Sequence, residues 1–154
     1  MIHHISLPAS DPANVAKVIA ELWQGYCAPF PSHADSYVAL AGDKYGTVIE
    51  VYPLGTKMTP GQGDRPIQFQ KEDAPSPYIS SHAAISVKIS EEKIKEIGKQ
   101  QGWRVVRCSR GEFDIIEFWV ENSVLLEIAT PELAQKYLEI LAPEKLAAHF
   151  QADR

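Results

Sequence analysis

The chain reads as an α+β protein made of two βαβββ modules, with helices appended after the second. Three observations predict this. Each half opens on an apolar, β-branched run and closes on three more, all with the period-two alternation of strands. Each half carries one segment of helical period directly after its first run. Each half also places a histidine in its first run and a glutamate in its last. His4 and Glu50 lie 46 residues apart, and His82 and Glu127 lie 45 apart. A polar group inside such a run is costly unless something pairs with it. The duplicated spacing therefore points to an internal repeat whose four polar side chains act together.

Residues 2–8 alternate and then meet Pro8, which suits a strand end. Asp11-Pro12 supplies a helix cap and a proline at the first helical position. Val15, Val18, Ile19 and Leu22 recur at helical spacing from Ala13 to Trp23, and Gly25 is expected to stop the helix. Strands are predicted at 26–30, 36–42 and 46–53, which completes a first module over residues 1–53. The stretch 54–80 is rich in Pro, Gly, Gln and Ser and reads as a linker without structure of its own, which at that length is usually functional. The second module, 81–129, repeats the order. It has a strand at 81–89, then a helix capped by Ser90 with Glu91 and Glu92 in its first turn and Ile94 and Ile97 on its buried face, ending near Gly102. Strands follow at 103–108, 113–120 and 124–129. Thr130-Pro131-Glu132 opens a helix running to about Leu141, and Pro143-Glu144 opens a second, ending near Phe150. These helices form an extension over 130–154 with no counterpart in the first half.

At 154 residues, 45% hydrophobic and 23% charged, the chain has the size and composition of one soluble globular domain. A formal charge of −5, without a Lys/Arg cluster, argues against nucleic acid as a partner. No apolar run approaches the ~20 residues that span a bilayer, and the N-terminus has no signal-peptide pattern. Cys27 and Cys108 form no CxxC motif and are expected as buried free thiols, consistent with a reducing, cytoplasmic compartment.

Side chains alternate across a strand, so parity assigns faces. His4 shares a face with Ile2, Ser6 and Pro8, and Glu50 with Val48 and Tyr52. His82 shares one with Ala84 and Ser86, and Glu127 with Leu125 and Ala129. In each strand the more aliphatic face is the other one. It is expected to pack under the helices, leaving the polar faces to line a concave trough. Two imidazoles and two carboxylates suit a divalent ion that accepts nitrogen and oxygen donors, namely Zn, Ni, Co, Mn or Fe(II). Two open positions on such an ion serve Lewis-acid work. The competing reading is a pair of structural ion pairs without metal.

With these markers in register, residues 2–129 resemble the vicinal oxygen chelate superfamily, which includes glyoxalase I, methylmalonyl-CoA epimerase, extradiol dioxygenases and bleomycin resistance proteins. The resemblance is carried by the paired modules and by His4-Ile5-Ser6-Leu7 leading to Asp11. It is also carried by His82-Ala83-Ala84-Ile85-Ser86-Val87, and by Glu50 and Glu127 on the last strands. It implies a glyoxalase-like cupped mixed sheet and a metal held by His4, Glu50, His82 and Glu127. It further implies a small carbonyl or vicinal-oxygen substrate stabilised as an enediolate, with Glu127 or Glu50 moving the proton. Bacterial glyoxalase I has an arginine four residues after its first histidine to hold glutathione. Pro8 stands there, so a glutathione adduct is not the expected substrate. Extradiol dioxygenases leave open the position that Glu50 fills, which favours lyase, isomerase or epimerase chemistry over an Fe(II) dioxygenase. A metal-free protein that sequesters small molecules is the other alternative.

Tyr52 and Ser86, on ligand faces, are expected at the substrate wall. The last hairpin decides a further residue. A two-residue loop sets Ile116 or Phe118 across from Glu127, and Phe118 then joins the substrate wall. A three-residue loop instead brings Glu117 into the trough as a candidate general base. His3 falls on the opposite face unless a bulge exchanges it with His4. His33, His149, Arg104 and Arg107 are expected at the surface, and the linker pair Asp64-Arg65 either closes over the cavity or is solvated. A long linker between similar units permits pairing within one chain or across a homodimer, and a homodimer is the expectation.

Overall fold

The computed structural model describes residues 2–145, and the chain divides into two compact units, Met1–Ser80 and Ser81–Arg154. The first unit contains β1 (His4–Ala9), α1 (Pro12–Trp23), β2 (Tyr26–Pro29), β3 (Tyr37–Leu40) and β4 (Val48–Pro53), followed by β5 (Thr56–Thr59) and β6 (Gln68–Lys71). Its main sheet has the order β1-β4-β3-β2, with β1 parallel to β4 and the remaining pairs antiparallel.

The Asp11 side chain caps α1 by accepting the Asn14 N–H at 3.0 Å, and Pro12 occupies the first turn. The helix closes on Gln24, in the left-handed region at φ 56°, rather than on Gly25. Gly25 has a different role. A Cβ there would lie 2.0 Å from the Leu40 carbonyl oxygen, so only glycine lets the chain pass β3 so closely. From α1, Val15, Ile19 and Leu22 are wholly buried, as are Ala39 and Val51, and Leu7 and Ile49 are nearly so. Leu7, Ile49 and Val51 lie on the aliphatic face that parity predicts, and full burial of each such side chain contributes about 1.5–3 kcal/mol.

The 54–80 segment is not structureless. Its strands β5 and β6 form an antiparallel hairpin with Met58 opposite Phe69. The Glu72 N–H donates to the Gly55 carbonyl at 2.8 Å, and Lys57 pairs with Glu72 at 3.5 Å. Its strands are short and β6 is exposed along its length, so neither shows the apolar alternation by which strands are recognised.

The second unit contains β7 (Ala83–Ser86), α2 (Glu91–Gln101), β8 (Val105–Ser109), β9 (Asp114–Val120), β10 (Val124–Ala129) and α3 (Pro131–Ile140). Its sheet order is β7-β10-β9-β8, again with the first strand parallel to the last and the others antiparallel. The βαβββ order is therefore present twice. Ser90 caps α2 through the Lys93 N–H, and Gly102 ends it in the left-handed region at φ 69°. Ile94 and Ile97 are buried on α2. Beside them a Cβ on Gly98 would fall 2.2 Å from a Val105 methyl and 3.4 Å from the Phe118 ring, so the helix sits directly on β8 and β9. Thr130 caps α3, as expected. Of the second terminal helix, residues 143–145 are helical; the remainder, with His149, lies outside the described residues.

Candidate functional site

In the first unit the parallel pairing sets Ser6 beside Glu50 and His4 beside Val48. His4, Ser6, Glu50 and Tyr52 thus share the face turned away from α1. The Ser6 hydroxyl donates to Glu50 Oε2 at 3.0 Å, and the Tyr52 hydroxyl donates to the same oxygen at 3.2 Å. The other oxygen, Oε1, lies 3.9 Å from His4 Nε2. Two hydroxyls therefore fix the carboxylate and leave one oxygen beside an imidazole nitrogen. Burial, then the Glu50 charge and the hydrogen bond to it, push the Tyr52 phenol up to about 12, so Tyr52 stays protonated and donating.

Around Tyr52 stands an aromatic cluster. Phe69, from the β5–β6 hairpin, stacks on it at 5.7 Å between centroids, while Phe30 and His33 meet it edge-on at 6.0 and 5.1 Å. His33 also meets Phe69 at 4.6 Å, and its Nδ1 lies 2.8 Å from the buried Ser36 hydroxyl. The expectation of a solvated loop histidine at His33 is thus corrected: the linker folds as a hairpin and covers it. His3 is exposed, with Nδ1 2.8 Å from the Tyr45 carbonyl, and no bulge exchanges it with His4.

In the second unit Glu127 pairs with Ala84 on one side and with Glu117 on the other. The last hairpin has a three-residue loop, 121–123, with Glu121 and Asn122 at positive φ. Asn122 fastens it, accepting the Arg104 N–H at 2.7 Å and donating to the Gly102 carbonyl at 3.1 Å. This register brings Glu117 onto the Glu127 face and turns Phe118 to the other side. Phe118 has no exposed surface and pairs with Leu126 in the core. Its expected place at the substrate wall is therefore wrong, because the loop is one residue longer than that reading required. Ser86 is exposed on the Glu127 side of β7, and His82 precedes that strand, also exposed.

Two carboxylates directly opposite one another repel, and Arg110 resolves this. One Nη2 donates to Glu117 Oε1 and to Glu127 Oε1, each at 2.8 Å, and Nε reaches the same Glu127 oxygen at 3.2 Å. The Trp119 indole N–H holds the other oxygen of Glu117 at 3.0 Å. The Arg110 guanidinium, aided by that indole, keeps the Glu117 carboxyl below the usual carboxylate range, and the carboxylates raise Arg110 in turn. Sequence reasoning missed Arg110, which lies in the β8–β9 turn; the available signal was a three-residue last loop opposing two glutamates.

Among the other polar candidates, Arg107 pairs with Glu91 and Asp114 at the surface, and Arg104, Asp64 and Arg65 are exposed. Cys27 is exposed and Cys108 half-buried, which corrects the expectation of buried thiols. Cys27 lies on β2, an edge strand exposed along its length.

Do these residues suit a divalent ion? Within each unit, among the described residues, no cluster of three or more His, Cys, Asp or Glu side chains is placed to hold one. The donor set nevertheless fits in kind. The first unit offers an imidazole and a carboxylate on one sheet face, with Glu50 Oε1 3.9 Å from His4 Nε2. In the second unit Glu127 lies on the sheet and already receives a cation, the Arg110 guanidinium, while His82 stands just before β7.

No protein-family model matches the chain, and no curated protein sequence does. Solved structures do. The fosfomycin resistance protein FosX from Listeria monocytogenes, complexed with Mn(II) and a sulfate ion, aligns at a TM-score of 0.56 and 15% identity, covering 90% of this chain and 95% of that one. FosX from Mesorhizobium loti aligns at 0.53 and 11%, covering 89% and 96%. A Bacillus anthracis protein described as of the glyoxalase family aligns at 0.52 and 15%, covering 83% and 92%. With these neighbours and a doubled βαβββ order, the chain shares the fold of the FosX and glyoxalase-family structures.

Proposed function

We propose that this chain is a metal-dependent enzyme of glyoxalase-like type, acting on a small substrate that carries a carbonyl or two neighbouring oxygens, and that a glutathione adduct is not that substrate. The observation that carries this reading is the arrangement at Glu50, where Ser6 and Tyr52 hold one carboxylate oxygen and leave the other beside His4. Hydrogen bonds that orient a ligating carboxylate are the usual support of a metal site. The Mn(II) bound by the Listeria FosX of the same fold adds weight.

In this reading His4 and Glu50, with His82 and Glu127, would hold one divalent ion, contributed by a single chain or across a homodimer. Once bound, the ion supplies Lewis acidity worth several kcal/mol, offsetting the negative charge that develops when a proton leaves a carbon beside a carbonyl. Tyr52 keeps Glu50 oriented and remains a neutral donor. Glu50 or Glu127 moves the proton, and such positioned proton transfer contributes about 10²–10⁴-fold. Lyase, isomerase or epimerase reactions that pass through an enediolate share this step.

Protein purified without an affinity tag and analysed for metal content tests the reading. Stoichiometric divalent metal, lost on chelation and regained from Mn, Zn, Ni or Co, is the expected result. Full turnover by verified metal-free protein ends it. A second reading, a metal-free protein that sequesters a small molecule, draws on the cation already at Glu127 and on the aromatic cluster around Tyr52. It predicts negligible metal and ligand affinity unchanged in Glu127→Gln.

A further inference from the structure

Glu127 carries a partner that its counterpart in the first unit lacks. Glu50 is held by two neutral hydroxyls and has Val38 opposite it on β3. Glu127 is held by a guanidinium and has Glu117 opposite it on β9. Arg110 contacts Glu117 through Nη2 alone but Glu127 through both Nη2 and Nε. Glu117 is further fixed by Trp119, so it is the rigid anchor of the trio. Arg110 itself sits in a short turn, where its N–H bonds the Phe113 carbonyl at 2.7 Å and Gly111 takes φ 86°.

We propose that Arg110 is an internal counter-cation that competes with the metal for Glu127, and that Glu117 is the group onto which it withdraws when the metal binds. This rests on the metal reading above. A lone guanidinium on Glu127 would have to leave into water for an ion to enter, losing its charge-assisted bonds outright. With Glu117 2.8 Å away and itself fixed by Trp119, Arg110 keeps one carboxylate while releasing the other. The trio thus makes Glu127 exchangeable, and it sets affinity by position as well as by charge.

The two residues therefore move metal affinity in opposite directions. Removing Arg110 frees Glu127 and tightens binding. Removing the Glu117 charge leaves Arg110 with Glu127 alone and weakens binding. Simple charge counting predicts the same signs, so the charge-conserving variant decides. Arg110→Lys keeps the charge but loses the fork that reaches Glu127 through two nitrogens.

The test titrates Zn(II) into metal-free full-length protein by calorimetry, with the arginine Nε–H resonances followed by NMR. Arg110→Gln and Arg110→Lys are both expected to bind Zn(II) roughly tenfold tighter than the wild type, and Glu117→Gln roughly tenfold weaker. The Arg110 Nε–H signal is expected to shift as the wild type saturates and to be unmoved by Zn(II) in Glu127→Gln. Wild-type affinity in Arg110→Lys overturns the proposal, as does an Arg110 signal that ignores the metal in the wild type, while the metal reading stands. Absence of Zn(II) binding to the wild type and every variant removes both.

Discussion

Replacing Glu50 by glutamine takes away the charge that the Tyr52 hydroxyl touches, and the phenol reports the change. Tyr52 is 5% exposed and donates to Glu50 Oε2 at 3.2 Å. Burial raises its pKa most, the Glu50 charge next and the hydrogen bond last, together to about 12. The rise from 10.0 to about 12 corresponds to at most ~2.7 kcal/mol of differential interaction between the two protonation states. The sign follows from linkage. The folded state holds the proton more tightly than the unfolded state, so the contribution is fully present below pH 10 and is lost as pH climbs through about 12. Phenolate absorbance and unfolding free energy are recorded together over that window for the wild type, Tyr52→Phe and Glu50→Gln. The wild-type-minus-Tyr52→Phe difference is expected to show one phenol ionising late, with alkaline destabilisation in step. In Glu50→Gln that phenol ionises earlier but still above its ordinary value, because burial persists. A difference spectrum that ionises with the other tyrosines, or a midpoint unmoved in Glu50→Gln, removes the Glu50–Tyr52 contact from the account.

Two other perturbations test how the fold supports the site. Gly98→Ala drives a methyl to 2.2 Å from Val105. The overpacking costs about 1–3 kcal/mol against a helix-propensity gain of up to ~1 kcal/mol. The melting temperature is expected to fall by a few degrees and to recover partly in Gly98→Ala/Val105→Ala, whereas an unchanged or raised value would mean α2 does not rest on β8. Phe69→Ala removes the ring that stacks on Tyr52 and meets His33. Such pairs are worth about 0.5–1.5 kcal/mol, so amide exchange in β5 and β6 is expected to accelerate, and unaltered protection would show that the hairpin is held by other means.

The repeat was legible because its signals are local. Strand alternation, Asp11-Pro12, Ser90 and Thr130-Pro131 each state an element or a boundary, and parity then puts His4 and Glu50 on one face and Leu7, Ile49 and Val51 on the other, as found. What was not legible depends on register and on tertiary covering. Glu117 and Phe118 exchange faces with one residue of loop length, and Glu121-Asn122-Ser123 does not display its φ values in its residue names. His33 looked solvated because the hairpin that covers it has polar, exposed strands. Arg110 was invisible for the same reason as Glu117: its value lies in meeting two carboxylates that only the β9–β10 pairing brings together.

The divergence between the modules has a consequence for the two glutamates. Were both equivalent ligands, losing either carboxylate would cost a metal ion about the same. They differ in what must happen before an ion can use them. At Glu50 the hydroxyl donors are neutral and both sit on Oε2, and no guanidinium contacts Oε1, whose neighbour is the imidazole of His4, itself one of the proposed ligands. At Glu127 the ion must first break contacts with Arg110, so part of what Glu127 offers the metal is spent on that displacement. Removing Glu127 removes a ligand and a competitor's foothold together, because Arg110 stays on Glu117 in either case. Removing Glu50 removes a ligand with nothing to offset the loss. Glu50→Gln is therefore expected to weaken Zn(II) binding about tenfold more than Glu127→Gln does, by calorimetry on the metal-free protein. Adding Arg110→Gln should widen the effect of Glu127→Gln until the two glutamates weigh alike. Equal losses in the wild-type background, or a larger one at Glu127, would mean that the guanidinium imposes no cost on the metal and that the modules are functionally symmetric despite their different partners.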